Sequence, residues 1–372
     1  MKKLRLAILP GDGIGKEVIE SVIPVFDKIG IDAEIRLGDI GWEFWKQEGN
    51  PIPDRTWNLI ENADAILLGA ITSKTHDQAV NELNPKLRNQ ELNYISPVIQ
   101  LRQRLGLFAN VRPVFSIPNN PCQICDNFNM TIIRENTEGL YAGFDFHPIP
   151  EEMIPFINKH KQPHAFWEVD RPTDAALALR LITKKGTERI IRFAFDWARQ
   201  NNYSLVTWAD KPNVMRKSGQ FAIDIMKNIA ADFPDISWEV QNVDAVAMWM
   251  VRNPARFGVL VSENQFGDIL SDLGAGLMGG LGFAPSANLG IGKSYFEPVH
   301  GSAPKHAGKN EVNPSAMFLT AALMLKQHGY IQQALAIESA VRYVIKEGKA
   351  LTYDLQGTAD TLKMAKEIIA HC

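Results

Sequence analysis

Short apolar runs alternate along the chain with amphipathic and polar stretches, the rhythm of strands and helices in turn. Residues 4–9 predict a first strand, which ends in the turn Pro10-Gly11-Asp12-Gly13-Ile14-Gly15, with a helix from Lys16. Residues 31–37 and 65–68 predict two further strands, with a helix between them near Trp57. A helix is expected over residues 98–105, and strands over 131–133, 204–208 and 259–261. Asp244 opens an apolar helix that runs to Val251, and a longer apolar helix follows Asn313-Pro314. Helical pattern then continues to Cys372. Alternation of this kind predicts the α/β class with a mostly parallel sheet.

The stretch from Asn264 to Asp272 carries the densest chemical signal. It follows the apolar run Val259-Leu260-Val261, so its carboxylates fall just past a strand end, where α/β enzymes place their chemistry. Gly267 is expected to open the next element. Asp268 and Asp272 are four apart, which on a helix stacks both side chains on one face. Like charges there repel, so a cation is expected between them. Oxygen-only ligands suit a hard divalent ion such as Mg²⁺ or Mn²⁺. Residues 273–292 carry no charge and reach membrane-spanning length. Seven of them are Gly and one is Pro, so packed loop and helix is the expected structure, with no membrane span.

The 372 residues suffice for two domains or one large α/β unit. A hydrophobic content of 45% and a charged content of 22% are ordinary for a globular protein. The net charge of −3 leaves no electrostatic footprint for nucleic acid. Three Cys indicate a reducing compartment, and Met1-Lys2-Lys3 leads straight into a strand with no leader pattern. A cytoplasmic location is therefore expected. Cys122 and Cys125 form a lone C-x-x-C without zinc spacing or redox context and read as idle thiols.

The turn after the first strand fails the dinucleotide fingerprint, because Lys16 stands where G-x-G-x-x-G needs Gly. Its glycines still suit close approach of backbone to a ligand. Arg102, Arg112 and Arg134 stand at element ends, and guanidinium forks match carboxylates, so together they would form a polycarboxylate clamp. Ser96 precedes Pro97, a helix-cap signature. Lys211 stands at a strand end, where a lowered pKa would make it a base. Asp244 reads as a helix cap and as a third carboxylate near Asp268 and Asp272. Residues 144–172 fit no clean period and read as an arm that packs on another subunit.

Three motifs resemble the isocitrate/isopropylmalate dehydrogenase family of metal-dependent β-decarboxylating dehydrogenases. They are Arg134-Glu135-Asn136-Thr137-Glu138-Gly139-Leu140-Tyr141, Gly267-Asp268-Ile269-Leu270-Ser271-Asp272 and His300-Gly301-Ser302-Ala303-Pro304. The resemblance covers nearly the whole chain, from the Gly11–Gly15 turn to Thr352-Tyr353-Asp354. It implies a discontinuous large cofactor-binding domain, residues 1–107 and 279–372, and a smaller dimer-forming domain, residues 108–278. It implies a homodimer with shared active sites. Arg102, Arg112 and Arg134 would hold the carboxylates of a small polycarboxylate substrate. Tyr141 and Lys211 would be the proton-transfer pair. Asp244, Asp268 and Asp272 would bind Mg²⁺ or Mn²⁺, with Lys211 and Asp244 supplied by the other subunit. One departure is Asp210, where the family usually has His, which is expected to alter the pKa of Lys211.

The same resemblance separates substrates and cofactors. Isocitrate enzymes carry Ser at the place of Ser96, which favours isocitrate over isopropylmalate, homoisocitrate and tartrate. Val98 departs, standing where a polar Asn usually helps. The cofactor is expected to meet Thr72, His300, Gly301, Ser302, Ala303, Lys305, His306, Asn313 and Tyr353. Lys305 replaces the Asp usual in NAD-using relatives, and His306 stands for their NADP-using relatives' Tyr, so NADP is expected with NAD still accepted. Gly357 stands where an Arg usually completes the phosphate pocket. A non-catalytic regulatory subunit is the rival class, but every catalytic position holds the expected residue type.

Overall fold

The computed structural model describes residues 3–90 and 92–372; Met1 and Lys2, on which the reading against a leader partly rests, lie outside them. Among the described residues twelve strands lie in chain order: β1 (Leu4–Gly11), β2 (Ala33–Leu37), β3 (Ala65–Ala70), β4 (Leu107–Phe115), β5 (Asn129–Glu135), β6 (Asp145–Phe146), β7 (Leu177–Ala178), β8 (Leu205–Asp210), β9 (Ser237–Asn242), β10 (Val259–Ser262), β11 (Pro285–Gly290) and β12 (Ser294–Pro298). Ten of them form one sheet in the order β2-β1-β3-β12-β11-β4-β5-β10-β8-β9, while β6 and β7 pair separately.

The sheet is mostly parallel, as expected, with parallel flanks and an antiparallel middle. β2, β1, β3 and β12 run parallel, as do β5, β10, β8 and β9. The centre, β12-β11-β4-β5, is antiparallel. β3 and β10 are buried at every residue, as strands covered on both faces must be. β3 is covered on one side by the helix Ser315–Gln327, whose residues 315–325 are all buried.

Residues 273–292 are not only loop and helix. The helix Asn264–Leu277 gives way to β11, which begins at Pro285. Proline is tolerated at the first residue of a strand, and the polar Ser286 and Asn288 conceal the strand pattern although both are buried. The helix also starts at Asn264, three residues before Gly267. Gly267 has a different duty: a Cβ there would lie 2.7 Å from Arg134 Cβ, so glycine lets the helix sit directly on that arginine. The helix Trp42–Glu48 went unpredicted.

The glycine turn after β1 packs on the protein itself. At Gly11, with φ +74, a Cβ would lie 2.0 Å from the Ala70 carbonyl oxygen; at Gly13, with φ +54, it would lie 2.1 Å from that of Ser302. These glycines admit the chain's own backbone. They draw β1, β3 and the loop at Ser302 together, with the Ile14 N–H donating to the Ser302 carbonyl at 2.9 Å.

Candidate active site

The antiparallel centre carries a row of polar residues across four strands. Tyr295 on β12 faces Asn288 on β11, Asn288 faces Asn110 on β4, and Asn110 faces Arg134 on β5. Directly opposed residues share a face, and this face is where the three expected arginines meet. Buried polar groups of this kind need partners, and these have them. Asn288 Oδ1 accepts from Arg102 Nε at 3.1 Å, from Asn110 Nδ2 at 3.0 Å and from Asn136 Nδ2 at 3.0 Å. Its Nδ2 donates to Glu297 Oε1 at 2.9 Å. Arg102 also reaches the Tyr295 hydroxyl at 3.3 Å and Glu297 at 3.4 Å.

Arg112 and Arg134 turn toward the helix Asn264–Leu277. Arg112 Nε donates to Asn110 Oδ1 at 2.8 Å, and its Nη1 to Ser271 Oγ at 2.6 Å and Asp272 Oδ1 at 3.0 Å. Arg134 Nε donates to Asn264 Oδ1 at 2.9 Å, and its Nη1 forms an ion pair with Asp268. Burial lowers the pKa of both guanidiniums, that of Arg134 to about 10, with the neighbouring arginines pushing the same way. At about 10, the Arg134 guanidinium remains charged near neutrality. Asp268 and Asp272 thus share one helical face as expected, but within one chain the cations beside them are arginines. The exposed ring of Tyr141 lies near Arg134, whose guanidinium carbon is 5.8 Å from the ring centroid.

Lys211 and Asp244 form a second, separate cluster, an ion pair between the end of β8 and the helix Val243–Arg252. Among the described residues no three acidic, His or Cys side chains are grouped to hold a metal ion, so one chain does not bring Asp244 to Asp268 and Asp272. Asp244 is not the cap of its helix; Asn242 holds that position, without a side-chain cap bond. The Lys211 ammonium lowers the pKa of the Asp244 carboxyl. Among the described residues Asp210 makes no hydrogen bond to that ammonium. Its Oδ1 accepts from Arg180 Nη2 at 2.9 Å and from the Lys211 backbone N–H at 2.8 Å. The carboxylate next to Lys211 is therefore turned into the protein.

Ser96 occupies the cap position before Pro97 but makes no capping bond. Its hydroxyl lies 3.2 Å from Ser73 Oγ. Thr72, next in the loop, donates its backbone N–H to the buried Asp12 and its hydroxyl to Ser302 Oγ at 2.6 Å. The loop of expected cofactor residues therefore meets the 72–73 loop. Burial lowers the pKa of His300, and its Nε2 is buried without a partner. His306 and Tyr353 stack, with ring centroids 5.9 Å apart and planes 10° from parallel. Lys305 and Gly301 are exposed, and Ala303 takes φ 36. Asn313 is buried and committed internally, to Asp354 at 3.0 Å and to the Ser315 N–H at 2.9 Å. Cys122 and Cys125 are free thiols, as read from the sequence.

Sequence reasoning missed Asn110, Asn136, Asn264, Ser271, Asn288 and Glu297. One signal was available: Asn110 lies two residues before Arg112 inside an apolar run, and a polar residue buried in a strand calls for a partner across it.

Comparison with known proteins matches residues 5–369 to the isocitrate/isopropylmalate dehydrogenase family. The chain is 51% identical over 369 residues to protein DlpA of Legionella pneumophila; this covers 99% of the chain, which spans 58% of that protein's length. It is 39% identical over 368 residues to 3-isopropylmalate dehydrogenase of Archaeoglobus fulgidus, covering 99% and 98% of the two chains. The crystal structure of isocitrate dehydrogenase from Methylococcus capsulatus superposes with a TM-score of 0.84 at 36% identity, covering 99% of each chain.

Proposed function

As the chain belongs to the isocitrate/isopropylmalate dehydrogenase family and is a metal-dependent decarboxylating dehydrogenase, we propose that it converts isocitrate to 2-oxoglutarate and CO₂ with NADP⁺. The charge balance at the arginines supports a divalent ion. Arg102, Arg112 and Arg134 already face Glu297, Asp272 and Asp268. A polycarboxylate entering that balanced set adds only negative charge. An ion held by Asp268 and Asp272 would release Arg112 and Arg134 for the substrate carboxylates. Mg²⁺ or Mn²⁺ would supply charge stabilisation at the substrate hydroxyl, with Asp244 of a second copy as the third carboxylate.

In this reading Lys211 would accept the proton of the C2 hydroxyl, and a nicotinamide cofactor, held by Thr72, residues 300–306 and Tyr353, would supply the hydride acceptor for C2. The bond between C3 and its carboxylate then breaks, releasing CO₂, and Tyr141 returns a proton to C3. Lys211 and Asp244 act in a homodimer, on the site of the partner copy. Exposed apolar side chains on and beside the helices Val243–Arg252 and Asn264–Leu277 support a pairing face: Met248, Val251, Ile269 and Val214. The segment 144–172, which exposes Phe156, Phe166 and Trp167, would be the arm. The division into residues 1–107 with 279–372 and residues 108–278 would run along the β4–β11 pairing. The three free cysteines support a cytoplasmic location, and among the described residues no helix is long and apolar enough to cross a membrane.

The observation that carries isocitrate is Ser96, whose hydroxyl is free of capping and sits beside that of Ser73, two donors for a third carboxylate. A second reading, 3-isopropylmalate, is favoured by Val98 and by the 47% exposed Ile99, which offer apolar surface one turn on. Steady-state kcat/KM for isocitrate, 3-isopropylmalate, homoisocitrate and tartrate decides between them. A preference for 3-isopropylmalate overturns the isocitrate reading.

A further inference from the structure

At the opposite end of β4 and β5 from Asn110 and Arg134 lies a cavity of about 390 Å³. The pair Phe115–Asn129 at its rim is five residues along the ladder from Asn110–Arg134, roughly 17 Å away. One wall comes from β4, β5 and the helix Lys184–Gln200, the other from β11 and the helices Ser315–Gln327 and Ile331–Glu347. No residue assigned to the active site lines it.

Three charged side chains line this cavity, Lys326, Glu338 and Arg342, and none is within ion-pair distance of another. Glu338 and Arg342 stand one turn apart on the same helix. Glu338 makes no hydrogen bond among the described residues. Arg342 uses one N–H on the Ser116 carbonyl at 2.9 Å and lies over Phe115 at 4.8 Å. Lys326 reaches only Asn201 Oδ1, at 3.3 Å. Burial raises the pKa of Glu338 and lowers that of Arg342, the mark of charges withdrawn from water without full pairing. A half-buried carboxylate and a half-buried guanidinium without an ion-pair partner are costly unless something joins them; Lys326, which also lines the cavity, is exposed.

We propose that this cavity binds a small amino dicarboxylate, its ammonium on Glu338 and its two carboxylates on Arg342 and Lys326. One carboxylate and two cations match a ligand with one ammonium and two carboxylates. Trp197, Phe128 and Tyr203 supply rings for its methylenes. Because its walls come from both sides of the β4–β11 line, the ligand would brace the two parts proposed above against each other.

Isothermal titration calorimetry of the full-length protein with L-glutamate, glutarate and 4-aminobutyrate tests this. L-glutamate should bind, with glutarate and 4-aminobutyrate each weaker by about tenfold, one charge-assisted contact fewer. Glu338→Gln, nearly isosteric, should erase the preference for L-glutamate over glutarate. Arg342→Met should weaken both. Arg134→Met, in the other site, should leave L-glutamate binding in place. No heat with wild type, an unchanged preference in Glu338→Gln, or loss of binding in Arg134→Met would each overturn the assignment.

Discussion

Asn110 donates its Nδ2 to Asn288 Oδ1 at 3.0 Å, and the two stand opposite each other where β4 meets β11. The same oxygen receives Arg102 and Asn136, so one buried carbonyl orders Arg102 directly and Arg112 through Asn110. Asn288→Leu keeps the volume and removes the acceptor. Each buried donor left unmatched costs about 1–3 kcal/mol. Some donors keep a second partner, as Asn110 does in Ser286, so a loss on the order of 3 kcal/mol is expected. Urea unfolding should show it, and KM for substrate should rise as Arg102 loses its orientation. An unfolding midpoint equal to that of wild type would show that the row is decoration.

The separation of Lys211 and Asp244 from Asp268 and Asp272 makes a mixing experiment decisive. Lys211→Met and Asp268→Asn should each bind cofactor and lose most of the rate. If a twofold dimer completes each site with the partner's Lys211, mixed dimers contain one site with both substitutions and one with neither. After subunit exchange, equal mixing should restore about one quarter of wild-type activity. No recovery, with exchange shown by mass spectrometry, would mean that each chain carries a complete site.

What the sequence disclosed and concealed follows from which forces leave a local trace. Strands buried on both faces, such as β3 and β10, show as apolar runs, and the four-residue spacing of Asp268 and Asp272 placed both on one helix face. β11 left little trace, because its buried Ser286 and Asn288 find partners more than 170 residues away, Asn110 among them. Pairing of that range is invisible to local periodicity. The partner of Asp210 is hidden for the same reason: it adjoins Lys211 in sequence, yet its carboxylate accepts from Arg180, thirty residues upstream.

Glu263 gives a signed pH prediction. It caps the helix Asn264–Leu277 and is 3% exposed, with Oε2 unpartnered. Burial raises its pKa above the ordinary 4.5, and Arg180 offsets this only in part. A carboxyl with a raised folded-state pKa holds its proton better folded than unfolded. Its stabilising contribution is complete below the unfolded value and is lost as pH rises through the folded value. Glu263→Gln cannot titrate. The stability of the variant relative to wild type should therefore increase with pH from about 4.5 upward, then level off. Thermal unfolding from acid to neutral pH checks this; a difference that stays flat or falls would contradict the assigned shift.

In the proposed reading cofactor choice would turn on Lys305, an exposed cation beside an ordered platform. His306 and Tyr353 stack next to it, and His306 Nδ1 is fixed by Glu311 at 2.8 Å. An ammonium placed there adds a charge-assisted bond to a 2′-phosphate and offers no acceptor to a free ribose hydroxyl. Gly357 stands where the family resemblance implies an Arg for the phosphate pocket. A Cβ there would lie 2.0 Å from the Leu351 carbonyl oxygen, so Gly357→Arg should destabilise the protein before it completes the pocket. With one phosphate contact missing, a modest preference for NADP⁺ over NAD⁺ is expected. Lys305→Asp replaces attraction with repulsion and should move the ratio of kcat/KM values toward NAD⁺ by on the order of tenfold or more. Both ratios come from steady-state kinetics with saturating substrate. Should wild type favour NAD⁺ and Lys305→Asp leave the ratio unchanged, Lys305 does not read the 2′ position, and the preference must be set by contacts on the other side of the His306–Tyr353 stack.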